Sequence, residues 1–234
     1  MKDGVLVMDK AQGMTSHDVV ALARRRLGLK RIGHAGTLDP IAKGVLVLLV
    51  GQATKYQQMA QHHRKRYETV IQFGTQTDTA DAWGKPVQTL PVPTLEREAV
   101  AHMLHEFVGP LTQVPPAFSA VKVQGRPLYW WARKGLPQTA KARTIEVFAL
   151  ELLEISADQM RCHIACSSGT YVRTLAEAIA QRLGTVGHVS ALTRLAVGPW
   201  ELAHAHTCAW LTEAPVEEIW AALQPVVSCV SLPA

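Results

Sequence analysis

The chain has 234 residues and a net charge of +5; 48% of its residues are hydrophobic and 18% are charged. This composition is typical of a globular protein, and the length allows one large domain or two small ones. The longest apolar run, residues 45–50, has strand length and excludes a membrane-spanning helix, which needs roughly 20 residues. A strand pattern that begins within four residues fits neither a signal peptide nor a transit peptide, so we expect a cytoplasmic protein.

Hydrophobic periodicity predicts an α+β chain. The predicted strands are residues 5–8, 45–50, 67–73, 117–123, 144–155, 159–166 and 189–197. The predicted helices are residues 17–27, 54–61, 95–107, 128–134, 171–183 and 215–223. Ser16, Thr94 and Thr170 are the expected N-caps, and Gly28 is the expected stop of the first helix. Strands without regular β-α-β alternation predict a mostly antiparallel sheet.

Charge is distributed unevenly along the chain. Residues 1–66 contain twelve Lys or Arg and only four Asp or Glu, whereas the rest of the chain is net negative. The basic clusters are Arg24 to Arg26, Lys30-Arg31 and Arg64-Lys65-Arg66. A one-sided positive field of this kind favours a phosphate backbone as partner, although exposed helix faces would explain the first cluster equally well.

The four cysteines indicate no disulfide framework. Cys162, Cys166, Cys208 and Cys229 contain no C-x-x-C pair, and a cytoplasmic protein of this size gains little from disulfides. We therefore expect four thiols and no metal site. No phosphate-binding glycine loop and no G-x-S-x-G motif occurs in the sequence.

One carboxylate stands out by its position. Asp39 lies in the loop Gly33-His34-Ala35-Gly36-Thr37-Leu38-Asp39-Pro40, just before the apolar run 45–50. The following proline favours extended geometry, and loops held by a rigid scaffold often carry catalytic groups. Taken alone, an Asp-Pro pair in a glycine-rich loop is more often a turn aspartate that bonds its own backbone.

The sequence around Asp39 resembles the catalytic-aspartate motif of the TruB family of tRNA pseudouridine synthases, which isomerise uridine 55 in the T arm. The resemblance extends over nearly the whole chain, with one departure, Ala11, where a proline is usual. The matching blocks follow one order: residues 4–16, 33–55, 66–67, 74–81, 118–125, 169–175 and 192–195. It implies the pseudouridine-synthase fold, a long mixed sheet flanked by helices with a central cleft.

The resemblance also implies a mechanism. Pseudouridine formation breaks the bond from C1′ to N1 of uracil and joins C1′ to C5, so it is redox-neutral and needs no cofactor. It does need a nucleophile, and the resemblance assigns this role to Asp39. Attack on C1′ and attack on C6 of uracil both remain open.

Arg173 is expected to pair with this aspartate. It falls in the first turn of the predicted helix 171–183, where the helix dipole disfavours a cation, so a carboxylate partner is expected. In the resembling family the matching arginine pairs with the nucleophile. Such a pair would orient the carboxylate and keep it ionised.

Further residues are implied by the resemblance. Tyr67, which the strand pattern alone predicts as a core residue, would lie against the target uracil, and Tyr171 would line the pocket. His34 would contact flipped-out nucleotides of the T loop. Three more are expected near the site or the RNA: Lys10, Lys55 and Asp81, together with the cluster Arg64, Lys65 and Arg66 suggested by charge.

The function expected is therefore a stand-alone tRNA pseudouridine synthase with the T-arm stem-loop as partner, acting as a monomer without a membrane or a metal. Residues 1–234 would form a single catalytic domain, without the small C-terminal RNA-binding (PUA) domain of many relatives. A guide-RNA-dependent relative and a catalytically silent tRNA-binding protein are the two alternatives.

Overall fold

The computed structural model describes residues 3–226, which form two compact units. Unit 1 contains the chain up to Tyr67 and from Thr193 onward, and unit 2 contains Glu68–Leu192. The strands of the chain are β1 (Gly4–Lys10), β2 (Ile32–His34), β3 (Lys43–Val50), β4 (Lys65–Phe73), β5 (Thr75–Thr77), β6 (Pro86–Thr89), β7 (Gly109–Gln113), β8 (Lys122–Val123), β9 (Arg126–Pro127), β10 (Arg143–Ile155), β11 (Gln159–Cys166), β12 (Gly187–Val197), β13 (Trp200–Glu201) and β14 (His206–Thr207).

Several helices are shorter than the longest strands of the sheet. They are α1 (Ser16–Leu27), α2 (Gln57–His62), α3 (Arg97–Leu104), α4 (Leu128–Arg133), α5 (Val172–Arg182), α6 (Cys208–Glu213) and α7 (Val216–Ala221), with 3-10 turns at Gly51–Tyr56, His105–Phe107 and Leu202–His204.

Unit 1 is built around β3. This strand is buried from Gly44 to Val50, as expected for a strand covered on both faces. β1 pairs with it antiparallel along its whole length, while the C-terminal part of β12 pairs with it in parallel. β14 adds a parallel edge to β1, and β2 adds an antiparallel segment to β3. The side chains of β1, β3 and Trp200 form one apolar core.

Unit 2 is dominated by antiparallel pairing. β10 pairs with β11 on one side and with β7 on the other, both antiparallel. The strand order is β12-β4-β11-β10-β7. β4 alternates as predicted, with Tyr67, Thr69, Ile71 and Phe73 all buried. The α+β class with a mixed, mostly antiparallel sheet is therefore confirmed.

Several sequence predictions about local structure are wrong. Thr15, not Ser16, caps α1, because its hydroxyl accepts from the Asp18 N–H while the Asp18 carboxylate accepts from the Thr15 N–H. α3 begins at Arg97 after a Glu96 cap, two residues later than the predicted Thr94 cap. Of the strand predicted at 117–123, only β8 forms.

Candidate functional site

The loop that carries Asp39 is anchored on both sides within unit 1. The Ser16 hydroxyl accepts from the Leu38 N–H at 2.8 Å and donates to the Leu38 carbonyl oxygen at 3.1 Å. On the other side, the Pro40 carbonyl oxygen accepts from the Gly13 N–H at 2.8 Å. Asp39 itself is half-buried. These bonds therefore fix the backbone on both sides of Asp39.

Arg194, in β12, bonds this loop and was not selected by the sequence analysis. Its side chain is 1% exposed, and its guanidinium donates to three carbonyl oxygens: Val45 at 2.7 Å, Thr37 at 3.2 Å and Gly36 at 3.2 Å. It thus ties the Asp39 loop to β3. The alternation of β12 could have identified it, because Arg194 is a charged residue on the same buried face as Leu192 and Ala196.

Lys10 is buried and stabilises the turn that contacts Pro40. Its ammonium donates to the Met14 carbonyl oxygen at 2.7 Å and to that of Ala11 at 3.0 Å. Burial lowers the pKa of Lys10 to about 8; Arg194 adds to this effect, while the charges of Cys208 and Asp39 oppose it. Lys10 lies near the candidate nucleophile but offers no surface to RNA. With these bonds, the turn that begins at Ala11 is held without the usual proline.

His34 and Lys55 lie on neighbouring elements of unit 1. His34 is half-buried, and burial together with the charge of Arg194 lowers its pKa, so the imidazole is neutral at pH 7; a backbone hydrogen bond with Gly36 opposes the shift. Gln57 donates to the His34 carbonyl oxygen at 3.1 Å and links the two elements. Lys55 is exposed.

The cluster at residues 64–66 does not form a free basic patch. Lys65 is 6% exposed, and its ammonium donates to the carbonyl oxygens of Gln61 and His63. Arg66 is exposed but lies 2.5 Å from the Glu201 carboxylate. Arg64 is exposed. The structure therefore does not support Lys65 as a phosphate contact, because its charge is used to hold its own loop.

Tyr67 follows this cluster in β4 and is 8% exposed. Its burial agrees with the core position that the strand pattern predicts. The role against a uracil ring that the resemblance implies stays a prediction.

In unit 2, Arg173 connects two loops. It is 3% exposed in the first turn of α5 and donates to the Thr79 carbonyl oxygen at 2.8 Å and to that of Phe118 at 3.0 Å. Its Nε lies 3.9 Å from Oδ2 of Asp81. A cation at a helix N-terminus is unfavourable, and these carbonyl and carboxylate oxygens offset that cost.

Asp81 has partners within its own loop. Its Oδ1 accepts from the Thr79 hydroxyl at 2.7 Å and from the Trp83 N–H at 3.0 Å. The residue is 8% exposed, which leaves little surface for the RNA contact expected from the sequence. Its position identifies it as a residue that shapes the loop and faces Arg173.

Tyr171 is half-buried directly before α5. The Gln113 side chain accepts from its N–H at 3.1 Å and donates to its carbonyl oxygen at 3.3 Å, so Thr170 is not the cap. The Arg143 guanidinium lies 4.9 Å from the Tyr171 ring centroid. The buried residues of α5 are Val172, Arg173, Leu175, Ala176, Ile179 and Ala180.

Unit 2 also contains a basic segment. The net negative charge of the chain after residue 66 concealed it. Residues 107–145 contain no Asp or Glu and six cations: Lys122, Arg126, Arg133, Lys134, Lys141 and Arg143. The Trp130 ring lies 5.2 Å from the Arg126 guanidinium and 5.9 Å from the Lys134 ammonium. Cations combined with aromatic rings are typical of surfaces that bind single-stranded nucleic acids.

Neither a membrane span nor a metal cluster emerges from the described part of the chain. None of the helices within residues 3–226 is long and apolar enough to cross a membrane. The same residues contain no group of three or more His, Cys, Asp or Glu side chains that could hold a metal ion. Cys162, Cys166 and Cys208 form no disulfide there, and Cys229 lies outside the described residues.

Two solved structures share the architecture. In a Cbf5–Nop10–Gar1 complex, the matching chain aligns with a TM-score of 0.74 and 28% identity, over 97% of the present chain and 61% of that chain. In an archaeal box H/ACA sRNP Nop10–Cbf5 complex, the TM-score is 0.70 and the identity 26%, with the same coverage. The present chain therefore spans about three fifths of these solved chains. The fold is that of the pseudouridine synthases, as predicted.

Sequence comparison identifies the family. Residues 24–172 match the TruB family pseudouridylate synthase (N terminal domain). The tRNA pseudouridine synthase B of Opitutus terrae is 45% identical over 96% of this chain and 93% of its own length. That of Aromatoleum aromaticum is 41% identical over 97% of this chain and 74% of its own. The chain belongs to the TruB family.

The lowered pKa of Lys10 predicts an alkaline rise in stability. Its pKa is about 8 when folded, against a usual 10.5, so between these values the unfolded chain binds more protons. The free energy of unfolding should therefore rise with pH in this window, by up to about 1.4 kcal/mol per pH unit. Urea unfolding of the parent and of Lys10→Met measures this. The parent should gain stability relative to the variant from about pH 8 to pH 10, and a constant difference would contradict the assignment.

Proposed function

We propose that this chain is an isomerase that converts uridine 55 in the T arm of tRNA to pseudouridine. The observation that carries the proposal is the anchored carboxylate. Asp39 is half-buried on a loop that Ser16, Gly13 and Arg194 hold in place, in a chain of the TruB family. Relatives in that family are named tRNA pseudouridine synthase B.

In the proposed reaction Asp39 is the nucleophile. Its carboxylate forms a covalent bond to the substrate, at C1′ or at C6, while the C1′–N1 bond breaks and the uracil turns. C5 then joins C1′, the C5 proton leaves, N1 takes up a proton, and the carboxylate is released. Atoms and electrons balance without a co-reactant. Tyr67 is proposed to lie against the uracil and to assist loss of the C5 proton.

Arg173 is proposed to pair with the Asp39 carboxylate. Its Nη1 and Nη2 already donate to backbone carbonyl oxygens, and Asp81 lies near its Nε, so its orientation is restricted. A guanidinium with fixed orientation can present its charge to a carboxylate at little entropic cost. Tyr171, the residue before α5, is proposed to line the pocket for the target uracil.

The RNA partner is supported by charge and by exposed groups. The target uridine has to leave the stack before it can react, which costs a few kcal/mol. We propose that His34 and Lys55 contact the T loop and that the acid-free segment 107–145 supplies most phosphate contacts. The chain is proposed to act as a monomer in the cytoplasm, with residues 1–234 as one catalytic domain of two units.

A guide-RNA-dependent synthase is the second candidate, because two of the similar solved chains come from H/ACA complexes. The stand-alone function is favoured because the identity to the synthase B relatives is 41–45%, against 25–28% for those chains. An assay with purified protein and an unmodified tRNA transcript separates them. Product at position 55 without other components supports the proposal, product only with guide RNA supports the second candidate, and no product supports a silent binding protein.

Replacing the nucleophile should separate chemistry from binding. We expect Asp39→Asn to abolish pseudouridine formation in a T-arm stem-loop, while affinity stays within a few-fold because phosphate contacts dominate it. Single-turnover assays measure the rate, and filter binding measures the affinity. Glu213→Gln, an exposed charge removal on α6, serves as control and should keep the parental rate. A rate near the parental value in Asp39→Asn would show that another group is the nucleophile.

The geometry of Arg173 predicts that charge alone is insufficient. Arg173→Lys should lower the rate by about a hundredfold, because one ammonium cannot replace a fork that bonds Thr79 and Phe118 together. Arg182→Lys is the matched control on the same helix, since Arg182 makes a forked contact with Glu106 on the surface. A lysine variant at position 173 with full activity would contradict the proposed orientation role.

The basic segment predicts the salt dependence of binding. Neutralising Lys122, Arg126 and Lys134 together to Gln should reduce the slope of log affinity against log salt by about two units, because roughly 0.7 ions are released per single-strand phosphate. Arg66→Gln should change the slope much less, because Arg66 is paired with Glu201. An unchanged slope in the triple variant would place the RNA path elsewhere.

A further inference from the structure

The loop between β5 and β6, residues 78–85, presents an indole ring to solvent. Trp83 is 55% exposed, more than most of the large apolar side chains that the structure describes. The backbone beneath it is tightly held. The Asp81 carboxylate accepts from the Trp83 N–H at 3.0 Å, and the Asp78 carboxylate accepts from the Lys85 N–H at 2.8 Å. An exposed aromatic ring on a rigid loop is a common form of contact residue.

Backbone strain marks the same loop. Ala80 is buried and has a φ of 58°, in the left-handed region that costs a non-glycine residue about 1–2 kcal/mol. Its carbonyl oxygen accepts from the Val189 N–H at 3.1 Å, and the Val189 carbonyl oxygen accepts from the Ala82 N–H at 2.9 Å. These bonds hold the strained conformation. Such strain concentrates at functional sites.

The loop is adjacent to Arg173. The guanidinium bonds the Thr79 carbonyl oxygen on one side and the Phe118 carbonyl oxygen on the other. It thereby joins the Trp83 loop to the acid-free segment 107–145. Lys85, two residues after Trp83 in the chain, is exposed as well. Charge complementarity therefore favours a polyanion over a protein as the occupant of this surface.

We infer that Trp83 is a stacking platform for an unpaired base of the RNA substrate. The inference rests on the proposed function and adds a contact residue to it. An indole face accepts any base, so Trp83 supplies affinity and holds the strand in place, while the buried groups behind it position Arg173. The ring takes no part in bond making.

The test is binding of a T-arm stem-loop to variants in the Asp39→Asn background, where no turnover occurs. Trp83→Ala should weaken binding about 5- to 150-fold, the range for loss of one stacked base. Trp83→Phe should recover most of the affinity, because a phenyl ring still stacks. Val87→Ala, an equally exposed apolar residue on β6, is the matched control and should bind like the parent. The salt slope should not change in Trp83→Ala, since the indole carries no charge.

Fluorescence gives a second readout. The stem-loop should quench part of the parental tryptophan emission, and that part should be missing in Trp83→Phe. Parental affinity of Trp83→Ala, or equal quenching in Trp83→Phe and the parent, overturns the inference. Failure of the proposed function is distinguishable, because in that case the unmutated protein forms no pseudouridine in the stem-loop, whatever the Trp83 variants do to binding.

Discussion

Two buried guanidinium groups hold the conformation of the loops that carry the candidate site residues. Arg194 in unit 1 and Arg173 in unit 2 are each almost fully buried, and each donates to carbonyl oxygens of the loop beside it. A buried cation without such bonds would cost several kcal/mol. The same carbonyl groups, buried without a donor, would be costly too. Each arginine and its loop therefore stabilise each other, and neither conformation survives without the other.

Arginine suits this role because its donors diverge in one plane. The Arg194 fork reaches Gly36 and Thr37 while its Nε reaches Val45. A lysine would supply the charge but not the three directions. Lys10, which does sit in this region, bonds carbonyl groups of a single turn and has a pKa lowered to about 8 by burial. Arg194 thus bonds the Asp39 loop itself, whereas Lys10 holds the turn whose Gly13 bonds Pro40.

Periodicity predicted the regular parts of the fold, because burial follows the strand and helix repeat directly. β4 and β10 to β12 lie where alternation places them, and Gly28 ends α1 in the left-handed conformation. The caps were less predictable, since Thr15 and Ser16 are chemically equivalent at that boundary. What decided between them is that the Ser16 hydroxyl bonds Leu38, a contact 22 residues away. Local sequence contains no information about such a partner.

The same limit applies to the basic residues, because the sequence does not show which of them bond distant groups. A count of charges predicts a field, but it does not distinguish a cation that faces solvent from one that bonds a distant carbonyl oxygen. Arg24 and Lys65 belong to the basic clusters of the sequence, yet both donate to carbonyl oxygens of unit 1. Arg173 could be singled out because its helix position is locally unfavourable, whereas Arg194 lies in a strand where only its burial is unusual.

Exposure then divides the candidate residues by what they can do. Arg173, Arg194, Lys10 and Asp81 are buried, so they act by positioning their neighbours. Lys55 and Trp83 are exposed and can touch a macromolecule directly. Asp39 and His34 are half-buried, between these extremes. In the proposed reaction a flipped base would reach only groups that are at least partly exposed, so Asp39 would carry the chemistry, while the buried residues of each unit would fix the loops of that unit.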